Sequence, residues 1–228
     1  MFKYSNMRCC LIFLSVIIYN QFFLNISQAE ELIRIVNLSG VSPLVRLTSN
    51  NSDQIKRVMD SGSEGIIVPM VNSVQDARSA VHSAYYPPIG NRGFGLSRAH
   101  SYGIDFEEYL EWQTKNTTII VQIEHIDAVD NFEEILQEDG VNGFIVGPYD
   151  LSGSLGIPGQ FDHPKMMEAM SQINEVAKRN LKPGGIHIVE PNPHDLSRCI
   201  EDGNKFIAYS LDTRMIDTAS RAGLEVIK

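Results

Sequence analysis

TTIIVQIEHIDAVDNFEEILQEDGVNGFIVGPYDLSGSLG, residues 117–156, decides the fold. Its opening, Ile119 to Glu124, is apolar, rich in β-branched residues and closed by a carboxylate. A helical pattern follows with Ala128, Phe132, Ile135 and Leu136 on one face, and Gly140 stops it. A second apolar run, Phe144 to Val146, ends at Gly147, Pro148 and Asp150. The spacing predicts a strand–helix–strand unit with a carboxylate after each strand. Ligands of α/β folds bind at the carboxyl ends of parallel strands, which makes Glu124 and Asp150 the first candidates for chemistry.

Outward from this unit the pattern repeats. Upstream, the expected strands are Pro43 to Leu47 and Ile66 to Val71; downstream they are Ile186 to Val189 and Lys205 to Tyr209. Helical patterns separate them. Ser27 with Glu30 reads as a capping box, and Asn51 or Ser52 and then Ser73 as further caps. His163-Pro164 opens a helix with Met167, Met170, Ile173 and Val176 on its apolar face, and Asp212 to Glu225 is the last helix. Tyr85 to Gly95, YYPPIGNRGFG, is a shaped loop. Strands alternating with helices every twenty to thirty residues indicate βα units on a parallel sheet. Six strands are clear, and Ser15 to Tyr19 offers a seventh. A (β/α)8 barrel therefore competes with a doubly wound sheet, although no dinucleotide fingerprint follows any strand.

The 228 residues are 43% hydrophobic, enough for an ordinary core, and the formal net charge is -9. No basic stripe interrupts that charge, which argues against a nucleic-acid partner. The three cysteines have no metal-like spacing. At the N-terminus, Lys3 and Arg8 precede an apolar run from Cys9 to Tyr19, and Ser27-Gln28-Ala29 passes as a loose cleavage site. The region reads either as an export signal or anchor or as a buried strand. Residues 1–26 are thus a leader or a degraded strand, and 27–228 the main domain. The location expected is cytoplasmic, with export or membrane association as the alternative.

Glu124 and Asp150 are two hard oxygen donors, suited to Mg²⁺ or Mn²⁺ completed by water and a bidentate substrate. The competing reading makes them a loop partner and a helix cap. Gln122 lies two residues before Glu124 and faces the same side, as substrate contact or satisfied core amide. Arg46 ends an early strand, where a guanidinium suits a carboxylate or enolate oxygen; a surface ion pair is the plainer reading. Asp60 at a helix end reads as a solvated or salt-bridged residue. His125 reads as a loop histidine, and alternation leaves His187 ambiguous. The corner Gly147 to Ser152 presents backbone N–H groups able to receive a carboxylate.

Three segments, residues 68–95, 121–136 and 141–156, together resemble the HpcH/HpaI aldolases, and the resemblance extends from about Gln28 to the C-terminus. It implies a TIM-type (β/α)8 barrel of the phosphoenolpyruvate/pyruvate superfamily, incomplete here at the N-terminus. It also implies a metal-dependent lyase that cleaves a 4-hydroxy-2-oxo acid to pyruvate and an aldehyde. Assembly would be homo-oligomeric, a hexamer with exchanged C-terminal helices. Glu124 and Asp150 fall on the family's metal ligands and Arg46 on the arginine that stabilises the pyruvate enolate. Gln122 matches the glutamine beside the ligand glutamate. Tyr149 and Asp150 occupy the corner that receives the pyruvate carboxylate, where alanine is more usual in the tyrosine's place. Asp60 falls on the acid that pairs with a catalytic histidine. If Val16-Ile17-Ile18 is the family's second strand, Tyr19, Asn20, Gln21 and Phe22 stand where its Asp-x-Glu-His segment belongs, and Phe22 cannot move a proton. Impaired cleavage is the consequence expected. A citrate-lyase-like acyl thioester lyase and a non-catalytic metabolite-binding or structural barrel are the alternatives.

Overall fold

A computed structural model of the chain describes residues 16–18 and 25–225. The strands are β1 (Val16–Ile18), β2 (Leu44–Arg46), β3 (Gly65–Val68), β4 (Thr118–Ile123), β5 (Gly143–Val146), β6 (Gly184–Ile188) and β7 (Phe206–Tyr209). All pair in parallel, in the sequential order β1 to β7. Sequential order excludes the doubly wound alternative, whose order reverses at a switch point. The sheet also curls. Leu44, Ile67, Ile120, Ile145 and Phe206, from five different strands, pack into one inner cluster, which a flat sheet would hold apart. Among the described residues the wall has seven strands, so the eight-stranded closure expected from the resemblance is not seen. The seventh strand offered by the N-terminal apolar run is present at Val16–Ile18, paired with Leu44–Arg46. The Tyr19 to Phe22 segment and most of the apolar leader lie outside the described residues.

The helices are α1 (Ile26–Leu38), α2 (Ser52–Asp60), α3 (Val74–Ala84), α4 (Phe106–Asn116), α5 (Ile126–Asp130), α6 (Phe132–Gln137), α7 (Pro148–Ser154), α8 (Pro164–Asn180), α9 (Pro193–Glu201) and α10 (Asp212–Glu225), with a 3₁₀ segment at Arg98–Gly103. The larger core lies between the helices and the outer face of the sheet, and includes Val45, Ile55, Ile66, Val121, Phe132 and Ile173. No helix among the described residues is long and apolar enough to cross a membrane.

Local chemistry shifts several expected boundaries. The first helix is capped by Asn25 with Gln28 as its reciprocal partner, not by Ser27 with Glu30. Asn25 accepts from the Gln28 backbone N–H at 3.0 Å and its own N–H donates to Gln28 Oε1 at 2.9 Å, so either pair fits the rule but only one meets the chain's turn. The single helix expected after Glu124 is two, broken at Asn131, which caps the second. On α8 the inward face is Met166, Ala169, Ile173 and Val176; Met167 is exposed, one residue out of phase with the expected face. Gly184 and Gly185 lie inside β6, ahead of the strand start expected at Ile186. The reason is close approach: a Cβ on Gly185 would sit 1.5 Å from the Phe206 carbonyl oxygen, and one on Gly184 2.3 Å from the Phe144 ring.

Candidate active site

Arg46, Gln122, Tyr149 and Asp150 line one cavity of about 370 Å³ inside the curl of the sheet. Glu124 stands at its edge, immediately beyond the end of β4, and is buried. The apolar floor comes from Ile67, Ile145 and Ala208. Strand register explains the convergence. Arg46 pairs with Ile67, Gln122 with Ile145 and His187 with Ala208, so alternate residues of neighbouring strands meet on the inner face.

The polar groups form a chain. Arg46 Nε donates to Gln122 Oε1 at 3.0 Å, and Gln122 Nε2 donates to Glu124 Oε2. The Arg46 guanidinium is 3.8 Å from that same oxygen. The other oxygen, Oε1, accepts the Met70 backbone N–H at 2.8 Å. Met70 holds a left-handed φ of 52°, uncommon for a side chain of its size. That turn, straight after Pro69, aims its N–H at the carboxylate, a strained backbone where a functional group is positioned.

Glu124 has its pKa raised. Burial is the main cause, and the nearby Asp150 carboxyl, within hydrogen-bonding reach, adds to it; the Met70 N–H and Arg46 act in the opposite direction. A buried carboxylate, Glu124, thus lies beside an exposed one, Asp150, and such a pair is relieved by a proton or a cation between them. No group of three or more His, Cys, Asp or Glu side chains is arranged for a metal among the described residues. The donor set is therefore two carboxylates, which fits an ion that keeps several waters and takes the rest of its shell from a substrate. Gly147 makes room for the arrangement: a Cβ there would meet Gln122 Nε2 at 2.9 Å and Glu124 Oε2 at 3.1 Å.

Five of the expected residues converge and one does not. Tyr149 lies in the first turn of α7, exposed, its ring edge-on to Phe161 with centroids 4.9 Å apart. Asp60 is outside the cavity. It pairs with Lys56 on its own helix and lies 3.7 Å from Arg92, whose guanidinium stacks on Tyr86. The salt-bridge reading of Asp60 holds; the place of its implied histidine partner, Phe22, is not among the described residues. His125 caps α5. Of two further contributors, the first was left ambiguous and the second missed: His187 lines the cavity, and the Met70 backbone holds Glu124. A polar residue inside the otherwise apolar GGIHI strand was a signal for the first; nothing in the sequence marks the second.

The HpcH/HpaI aldolase/citrate lyase family model matches residues 24–219. The chain belongs to that family. It is 39% identical over 181 residues to a 5-keto-4-deoxy-D-glucarate aldolase of Enterobacter sp. (strain 638), covering 79% of this chain and 70% of the relative. Among solved structures it is similar to an HpcH/HpaI aldolase from Desulfitobacterium hafniense DCB-2, with TM-score 0.85 and 30% identity, over 93% of this chain and 82% of that one. A family member from Burkholderia cenocepacia J2315 matches with TM-score 0.86 and 27% identity, over 93% and 84%. The parallel α/β wall described above is the fold these aldolases share.

Proposed function

We propose that this HpcH/HpaI family member is a metal-dependent carbon–carbon lyase that cleaves a 4-hydroxy-2-oxo acid to pyruvate and an aldehyde. The observation that carries the reading is the convergence of Arg46, Gln122, Glu124 and Asp150 at the carboxyl end of the sheet. Glu124 and Asp150 are the residues to hold Mg²⁺ or Mn²⁺. Bound there, a divalent ion supplies a Lewis acid for the keto and carboxylate oxygens of a 2-oxo acid. Arg46 supplies fixed positive charge for the oxygen that becomes an enolate, and Gln122 holds the guanidinium in orientation through the 3.0 Å bond to Nε. The α7 corner at Tyr149 and Asp150 receives the substrate carboxylate. Asp60, set apart with Lys56 and Arg92, serves in this reading as a supporting acid outside the cavity.

The 5-keto-4-deoxy-D-glucarate aldolase relative makes that compound the first substrate to try. The test is pyruvate release from it, together with decarboxylation of oxaloacetate, each with and without Mn²⁺. Decarboxylation needs the same enolate stabilisation but no hydroxyl deprotonation, so it reports the enolate half alone. Decarboxylation no faster than with Mn²⁺ alone would favour the non-catalytic barrel. Gly147→Ala is expected to weaken Mn²⁺ binding about 10-fold, the scale seen when groups behind a metal ligand are disturbed, by displacing Gln122 and Glu124; calorimetric titration measures it.

A homo-oligomer, hexameric by family resemblance, belongs to the same proposal. Helix α10 buries none of its residues against the described chain and leaves Ile216 and Leu224 exposed. An exchanged C-terminal helix explains such a face, and light scattering after size-exclusion chromatography reads the subunit number. A cytoplasmic location completes the reading.

A further inference from the structure

The reaction proposed above needs a group that takes the C4 hydroxyl proton. Glu124 is committed to Met70, Gln122 and the carboxylate pair, and Arg46 carries no lone pair to offer. His187 differs from both. It lies in β6 opposite Ala208, lines the same cavity, and its Nε2 is buried without a hydrogen-bond partner. A buried polar atom without a partner, at the wall of a substrate-sized cavity, marks a place where a ligand completes the bonding. We propose that His187 is the proton-transfer residue of this aldol cleavage, acting through Nε2; the assignment rests on the aldolase reading.

The tautomer supports the role. The backbone of Ser210 hydrogen-bonds the ring in the sense that favours its protonated form, so it accepts a ring proton. Because Nε2 is the unpartnered nitrogen, that bond falls to Nδ1 and leaves the Nε2 lone pair free. Burial is the main cause that holds the His187 pKa below its ordinary value, and Arg46 adds to it, so the ring is neutral near pH 7 and able to accept. In the cleavage, Nε2 takes the C4 hydroxyl proton and the C4 oxygen becomes the aldehyde carbonyl. The C3–C4 bond breaks, its electron pair forming the C2–C3 double bond as the keto oxygen becomes the enolate. The imidazolium then returns the proton to C3, giving pyruvate and neutral His187. Protons balance and no co-reactant is consumed.

The experiment compares wild type, His187→Gln and His187→Ala in three assays: aldol cleavage or addition of pyruvate to hydroxyaldehydes, oxaloacetate decarboxylation, and Mn²⁺-dependent pyruvate binding. Cleavage is expected to fall at least about 100-fold in both variants, as general-base removal does. Decarboxylation and pyruvate affinity stay within about 3-fold, since neither draws on the base. Added imidazole restores part of the cleavage in His187→Ala, which a packing role does not allow. Equal losses in cleavage and decarboxylation, or unchanged cleavage, overturn the assignment. So does a wild type that decarboxylates oxaloacetate but performs no cleavage or addition. A wild type that neither decarboxylates oxaloacetate nor binds pyruvate overturns the aldolase reading itself, and the His187 assignment falls with it.

Discussion

Glu124→Ala is expected to weaken the proposed Mn²⁺-dependent pyruvate binding by at least about 100-fold in affinity and to leave the fold standing. The loss follows from the count of donors. With two carboxylates at the site, removing one leaves Asp150 alone, and a single carboxylate does not fix the ion against water. The fold survives because the substitution has opposed effects. It gives up the 2.8 Å bond from the Met70 N–H and the bond from Gln122, but it also removes a charge whose burial beside Asp150 is unfavourable. The sign can be worked through. The folded-state pKa of Glu124 is raised, so its contribution to stability is present at low pH and lost as pH rises through that raised value. At neutral pH the wild type already carries this cost and the variant does not, so their thermal midpoints lie close together there. In acid the wild type gains relative to the variant. Metal binding runs the opposite way, because cation and proton compete for the same oxygens. Mn²⁺ affinity falls as pH drops, starting above the range of an ordinary glutamate near 4.3. Titrations of Mn²⁺ into wild type and Glu124→Ala across pH, with melting curves beside them, check both halves. Unchanged pyruvate affinity in Glu124→Ala would place the ion elsewhere.

What could be read from the sequence follows the range of the forces involved. Apolar, β-branched runs followed by carboxylates placed Glu124 and Asp150 after strand ends, because such runs and the turn after a strand are local properties. Arg46 and Gln122 were legible as residue types, but their 3.0 Å bond joins positions 76 residues apart and depends on the curl of the sheet. His187 stayed ambiguous for a related reason. The inward face of β6 goes with close approaches of the Phe206 backbone to Gly185 and of the Phe144 ring to Gly184, contacts that no local pattern encodes. Met167 was assigned inward because Met167, Met170 and Ile173 also satisfy a helical spacing; packing against α6 and the sheet chose Met166 instead. Asp60 meets Arg92 instead of the cavity residues, and Arg92 lies within the loop of Tyr85 to Gly95, where periodicity stops.

Gly185→Ala is expected to cost more stability than any other single methyl added to the sheet, more than about 4 kcal/mol, in the exceptional range for point changes. The new Cβ would stand 1.5 Å from the Phe206 carbonyl oxygen and 2.5 Å from its carbon. Those are backbone atoms, so no rotamer change relieves the contact. The same residues are register partners in β6 and β7, and relief requires the two strands to separate where they pair. Separation would also uncouple His187 from Ala208, and with it the cavity wall between Gln122 and β7. The expected result is insoluble protein or a thermal midpoint lowered by more than about 10 °C, given several degrees per kcal/mol for a domain of this size. Gly223→Ala is the control. That glycine lies within α10 with nothing within 4 Å of an added Cβ, and alanine there favours the helix by up to about 1 kcal/mol. Denaturant melts of the two variants against wild type measure both effects. A Gly185→Ala protein as stable as wild type would mean that β6 and β7 do not pair in this register, and the inward orientation of His187 would lose its support.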